Sequence, residues 1–218
     1  MKRAWIAIGV TALMGAAAFP AVAAKPQAGD VTIKASLNPV TFGQATTLSG
    51  KVKGAKAGVA VQLQADEAPL DGNFVTAAQS TTQNNGDYSF AGVRPGRLTA
   101  YRVTAQDTPP VTSANLNVSV RISVRLHLSD STPKAGRKVT FSGTTKPAFD
   151  GRRVRIQRQV TGGGFKTIAK TTLLDAGSTK SKYAKAVKIS KSGVYRALVP
   201  GDANFLEGTS QRTITVHN

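Results

Sequence analysis

Gly58-Val-Ala-Val-Gln-Leu-Gln64 returns 93 residues later as Gly151-Arg-Arg-Val-Arg-Ile-Gln157, and this pair of segments decides the fold. In each copy a glycine precedes a short run with apolar residues at every second place, Val59, Val61 and Leu63 in the first, Val154 and Ile156 in the second. A period of two puts alternate side chains on opposite faces, so each run reads as a half-buried β-strand. Outward from there, Gly43, Thr47, Ser49 and Gly50 reappear at the same offset as Gly136, Thr140, Ser142 and Gly143, and Leu48 becomes Phe141. Farther on the spacing drifts by a residue or two, with Tyr88 matching Tyr183 and Tyr101-Arg102 matching Tyr195-Arg196. Two copies of one unit are therefore expected, over residues 25–120 and 121–218.

Each copy reads as short strands punctuated by Gly, Pro, Asn and Asp, with no sustained helical period. The first holds runs such as Val31-Ile33-Ala35, Tyr88-Phe90 and Tyr101-Val103-Ala105; the second holds Val139-Phe141, Val187-Ile189, Tyr195-Ala197-Val199 and Ile214-Val216. About seven strands in ~95 residues is the arithmetic of an immunoglobulin-like sandwich, so the expected class is all-β, with two tandem β-sandwich domains. At the join every second residue from 116 to 128 is apolar, and neither Gly nor Pro interrupts the run. That pattern predicts one continuous strand passing from the first unit into the second, which would make the pair stiff.

The first 24 residues read as a cleaved signal peptide. Lys2 and Arg3 precede an apolar stretch over residues 4–19, and small residues at Ala21 and Ala23 fit a signal peptidase, with cleavage expected after Ala23 or Ala24. Export to the extracellular side follows, with no membrane span expected in the mature chain and no C-terminal anchor in its polar end, Thr215-Val216-His217-Asn218. The chain has no Cys, which excludes disulfides, thiol catalysis and thiolate metal sites. Its only tryptophan, Trp5, falls in the leader, which weakens a sugar-stacking platform.

Charge is unevenly spread. The formal net charge is +18, and residues 25–120 hold 8 Lys+Arg against 6 Asp+Glu whereas residues 121–218 hold 19 against 5. The candidate polyanion-binding residues are Arg152, Arg153, Arg155 and Arg158, with Lys182 and Lys188 joining them if their strand lies nearby. The partner expected for such a surface is an anionic cell-wall polymer, acidic polysaccharide or anionic lipid. Specific nucleic-acid recognition is not expected, because no base-stacking aromatics interleave with the Arg run. The competing account of the same charge is solubility and the blunting of exposed strand edges.

No catalytic, cofactor or metal residue is expected. His127 sits on the polar side of the joining run and His217 beside the terminus, with no nucleophile elbow to make a triad, so a secreted hydrolase is the least favoured function. Asp66, Glu67, Asp71 and Asp87 lie in loops and turns without an EF-hand spacing and read as solvated loop residues. Tyr101 and Tyr195 begin matching strands and read as structural tyrosines whose hydroxyls bond nearby backbone.

Thr46-Thr-Leu-Ser-Gly50, Asn85-Gly-Asp-Tyr-Ser-Phe90 and Tyr101-Arg-Val103, with Val139-Thr-Phe-Ser-Gly143 and Gly193-Val-Tyr-Arg196 in the second copy, resemble the Ig-like repeats of bacterial secreted and surface proteins, notably of actinobacteria. The turn around Gly86-Asp87 and the later Pro95-Gly96 also resemble carboxypeptidase-regulatory-like modules. The resemblance implies extracellular, non-enzymatic modules used as spacers or for adhesion, and it carries over no binding residue because such families share a scaffold and not a site.

Overall fold

The structure is a computed structural model that describes residues 30–107 and 109–217. The leader expected at residues 1–24 lies outside the described residues. All regular elements within them are strands. The N-terminal half contains β1 (Lys34–Ala35), β2 (Val40–Thr41), β3 (Thr46–Lys51), β4 (Ala60–Glu67), β5 (Val75–Thr81), β6 (Asp87–Val93), β7 (Thr99–Ala105), β8 (Val111–Thr112), β9 (Leu116–Val118) and β10 (Val120–Arg121). One sheet runs β1-β3-β6; the other runs β5-β4-β7 with β8 and β9 added beyond β7, while β10 pairs in parallel with β2.

The C-terminal half repeats the plan with β11 (Ser123–Val124), β12 (His127–Leu128), β13 (Arg137–Lys146), β14 (Arg153–Gln159), β15 (Phe165–Thr172), β16 (Leu174–Asp175), β17 (Ser181–Ile189), β18 (Gly193–Val199) and β19 (Gly208–Ile214). Here β13-β17-β16 form one sheet, with β11 and β12 on the free edge of β13, and β15-β14-β18-β19 form the other. Two antiparallel sheets in this order, packed face to face, make an immunoglobulin-like fold.

Alternation explains the cores. Val61 and Leu63 from β4 meet Leu48, Tyr88 and Phe90 of the facing sheet in one buried cluster; Val154 and Ile156 from β14 meet Val139, Phe141 and Tyr183 in a second. Each fully buried side chain of this size contributes roughly 1.5–3 kcal/mol, which is how a chain without disulfides holds its sheets together. The two halves even share a defect: the register slips between Leu63 and Gln64 on β4 and between Ile156 and Gln157 on β14.

The joining run keeps its alternation, with Val118, Val120, Ile122 and Leu126 buried, but it is not one continuous strand. It is four short strands in series because the chain changes partner as it advances, from β7 to β2 and then to β13. Val118 and Val120 belong to the first cluster and Ile122 to the second, so the core changes hands within three residues.

A repeated glycine-tyrosine device closes each sandwich. Gly50 sits under the Tyr88 hydroxyl, which donates to the Thr32 carbonyl; Gly143 sits under the Tyr183 hydroxyl, which donates to the Arg125 carbonyl at 2.8 Å. A Cβ at either glycine would collide with that carbonyl oxygen, so only glycine allows the close approach.

Candidate functional site

The six candidate cations do not form one face. Arg153 and Arg155 project from the exposed side of β14, whereas Lys182 and Lys188 stand exposed on β17, in the opposite sheet of the sandwich. The expectation that β17 would extend the Arg153/Arg155 surface is thereby corrected, because a strand of the other sheet turns its solvent side away from β14.

Arg152 is engaged elsewhere. Its guanidinium lies 3.9 Å over the Phe149 ring, donates to the Pro200 carbonyl at 3.1 Å, and pairs with the Asp202 carboxylate. Burial alone would raise the Asp202 carboxyl, but the bonds from Arg152 and from the Asn204 and Phe205 amides outweigh it and hold the group below the usual carboxylate range. Asp202 thus folds the β18–β19 loop by accepting from Asn204 N at 2.8 Å and Phe205 N at 2.9 Å.

That loop forms the seam between the halves. Phe205 packs against both buried clusters, 6.4 Å from the Phe42 ring and 5.2 Å, edge-on, from the Phe149 ring. Around it, Leu98 N donates to Asn204 O at 2.9 Å, Leu206 N to Val120 O at 2.8 Å, and Ile122 N to Leu206 O at 3.1 Å. Arg121 adds a bond from its guanidinium to Glu207 O at 3.0 Å. Phe205 and its loop were not singled out by sequence reasoning, since nothing in the local pattern distinguishes an aromatic that plugs a seam from one in a loop.

Arg158 stands opposite Tyr195 at the other end of the second sandwich, which Lys188 borders at the end of β17 with its side chain on the solvent face of its sheet, against Gly136. Arg158 and Lys191 line a groove there, floored by Ile168, Val187, Ile189 and Tyr195. The Tyr195 hydroxyl donates to Lys191 O at 2.6 Å, tying the β17–β18 turn to the strand that follows. No carboxylate lines this groove. Four of the five acids of this half, Asp150, Asp175, Asp202 and Glu207, lie at the seam end, where Asp150 accepts from Ser181 and Asp175 pairs across from it, while Asp130 accepts from Thr132 N in the β12–β13 turn.

Like charges also face each other across strands in this half: Arg155 opposite Lys170, Arg158 opposite Lys166, and Lys138 opposite Lys188. Such pairs are destabilising. The positions that match Arg155/Lys170 and Arg158/Lys166 in the first half hold Gln62 opposite Gln79 and Ala65 opposite Val75. There Lys51 faces Asp87 instead, an ion pair at 3.5 Å.

Arg102 and Arg196 are spent on the scaffold. Arg102 lies 3.9 Å over Phe74 and donates to Gln64 at 2.7 Å; Arg196 lies 3.8 Å over Phe165 and donates to Gln157 at 2.8 Å. The loop carboxylates serve local backbone: Asp66 accepts from Gly72 N at 2.9 Å, and Asp71 accepts from Asn73 N at 3.1 Å, which holds its carboxyl below the usual range. Among the described residues no three His, Cys, Asp or Glu side chains gather as a metal site, and His127 stands exposed on β12.

No family model matches the chain, and no curated protein matches it. Similar solved structures include the native conformation of E. coli alpha-2-macroglobulin, 11% identical with a TM-score of 0.36, covering 86% of this chain and 17% of that one. A marsupial T cell receptor is 11% identical with a TM-score of 0.39, covering 86% of this chain and 72% of that one. The chain therefore spans under a fifth of the macroglobulin.

Proposed function

We propose that this chain is an exported, non-enzymatic protein that serves outside a bacterial cell as a stiff spacer or adhesive element of the envelope, of the tandem Ig-like type its repeats resemble. The observation that carries this proposal is the seam. A spacer must hold a fixed direction between its ends, and reciprocal backbone bonds between Val120, Ile122 and Leu206, closed over by Phe205, supply that where a Gly/Ser linker would not. The leader-like start and the absence of thiols agree with export. The test is N-terminal sequencing with limited proteolysis of the secreted protein. The expected product begins at Ala24 or Lys25 and resists native cleavage within residues 117–127, whereas a cut there under native conditions would defeat the proposal.

A second function is favoured by the charge pairs: salt-sensitive docking of the basic half onto an anionic cell-wall polymer. The repeated scaffold folds with neutral residues at the positions of Arg155/Lys170 and Arg158/Lys166, so the fold does not require those cations, and facing like charges weaken it. An anionic partner would offset that repulsion. Binding to purified envelope polymer should fall steeply as salt rises; binding that is indifferent to salt would reject it.

A further inference from the structure

We propose that the groove between the end of β14 and the β17–β18 turn is the docking site, and that its ligand is a linear phosphate-bearing polymer; this rests on the second function above. Arg158 from β14 and Lys191 from the turn line the groove, and Lys166 of β15 stands directly opposite Arg158, whereas Lys188, between the inward Val187 and Ile189, carries its side chain on the solvent face of its own sheet, against Gly136. Lys166, as the cross-strand neighbour of Arg158, brings a third cation to the same face of the β14–β15 pair.

Cations converging from several directions suit a tetrahedral oxyanion, whose oxygens can each accept from a different donor, better than a planar carboxylate held by one Arg fork. Two of the three are Lys, compact point charges that tolerate a polymer sliding past them. The floor of Ile168, Val187 and Ile189 gives the groove an apolar base, and its one aromatic, Tyr195, is buried, so no ring is offered for base stacking. The site also lies where a spacer would present one. From Arg152 at the seam to Arg158 the chain advances along β14 by about 20 Å, at ~3.3 Å per residue.

The internal repeat separates this site from a scaffold role. At the positions of Arg158 and Lys166 the first half has Ala65 and Val75, packed in the same register after the same bulge. Replacing the cations by these residues removes a repulsion, and the melting midpoint is expected to hold or rise while binding falls.

The experiment uses the chain from Lys25 onward and fluorescently labelled long-chain inorganic polyphosphate, followed by anisotropy across a salt series. Wild type should bind at low salt, and Arg158→Ala/Lys166→Val/Lys191→Gln should lose about tenfold or more in affinity with a shallower salt slope. Arg153→Gln/Lys180→Gln/Lys182→Gln, which removes equal charge elsewhere, should stay within about twofold of wild type. Equal losses in both variants would overturn the site while leaving charge-driven docking in place. Absence of binding at low salt would overturn both. Equal or tighter binding of polyglutamate or of a sulfated polysaccharide would overturn the phosphate assignment.

Discussion

Gly143 and Tyr183 show how single residues hold this fold. The tyrosine hydroxyl reaches across a backbone that lacks a Cβ to bond the Arg125 carbonyl, and Tyr88 does the same over Gly50. Gly143→Ala must push the first strand of the sandwich away, and a loss of about 2–4 kcal/mol is expected in denaturant unfolding. Gly96→Ala, where a Cβ would meet nothing within 4 Å and φ is not left-handed, serves as the control with a change near zero. These tyrosines also set a pH limit. Burial raises the phenol of all four, Tyr88, Tyr101, Tyr183 and Tyr195, above the ordinary value. The folded state therefore keeps protons that the unfolded chain releases above pH about 10, so stability is full below that pH and declines as pH rises past it. Tyrosinate absorbance should appear together with loss of β-structure in an alkaline titration; ionisation that completes well before unfolding would contradict this.

Among elements, what the chain reveals depends on whether an element's packing is written in its own alternation. β4 and β14 carry buried residues at every second place over most of their length, β7 and β18 are buried almost throughout, and the repeat of these strands at a near-constant offset makes the architecture legible. β5 and β15 are not legible that way. They lie at sheet edges with small and polar residues, and Val75, at the start of β5, is 66% exposed, so no apolar period marks them. The candidate site divides for a related reason. Arg152 and Arg153 are neighbours in sequence and alike in charge, yet one precedes the strand and folds onto Phe149 and Asp202 while the other faces solvent. Only the position of the β18–β19 loop, a tertiary fact, tells them apart. Arg152→Ala should cost about 1–2 kcal/mol through the lost ring contact and charged hydrogen bonds, whereas Arg153→Ala should leave the unfolding midpoint nearly unchanged. Equal effects in the two variants would mean that the Asp202 loop does not depend on its arginine.

At the scale of the whole molecule, the two halves share a scaffold and differ in surface. The first half pairs charges of opposite sign and matches its neutral residues across strands; the second accumulates cations, several facing one another, with four of its five acids at the seam and Asp130 in the β12–β13 turn. Under the proposed function, a stiff pair with a nearly neutral half and a cationic half has a direction, as a spacer with one binding end requires. The seam is the weak point of such a device. Phe205→Ala removes the ring shared by both cores and should lower stability by about 2 kcal/mol, the cost of a half-buried aromatic, while freeing the halves to reorient.

Small-angle X-ray scattering of the chain from Lys25 onward tests the central claim most directly, with wild type and Phe205→Ala measured at low and high salt. The locked seam predicts that one arrangement of the two sandwiches fits the wild-type profile at every salt concentration and that the variant needs a spread of arrangements. A wild-type profile that itself requires such a spread would show that the halves move independently and that the chain is not a stiff spacer.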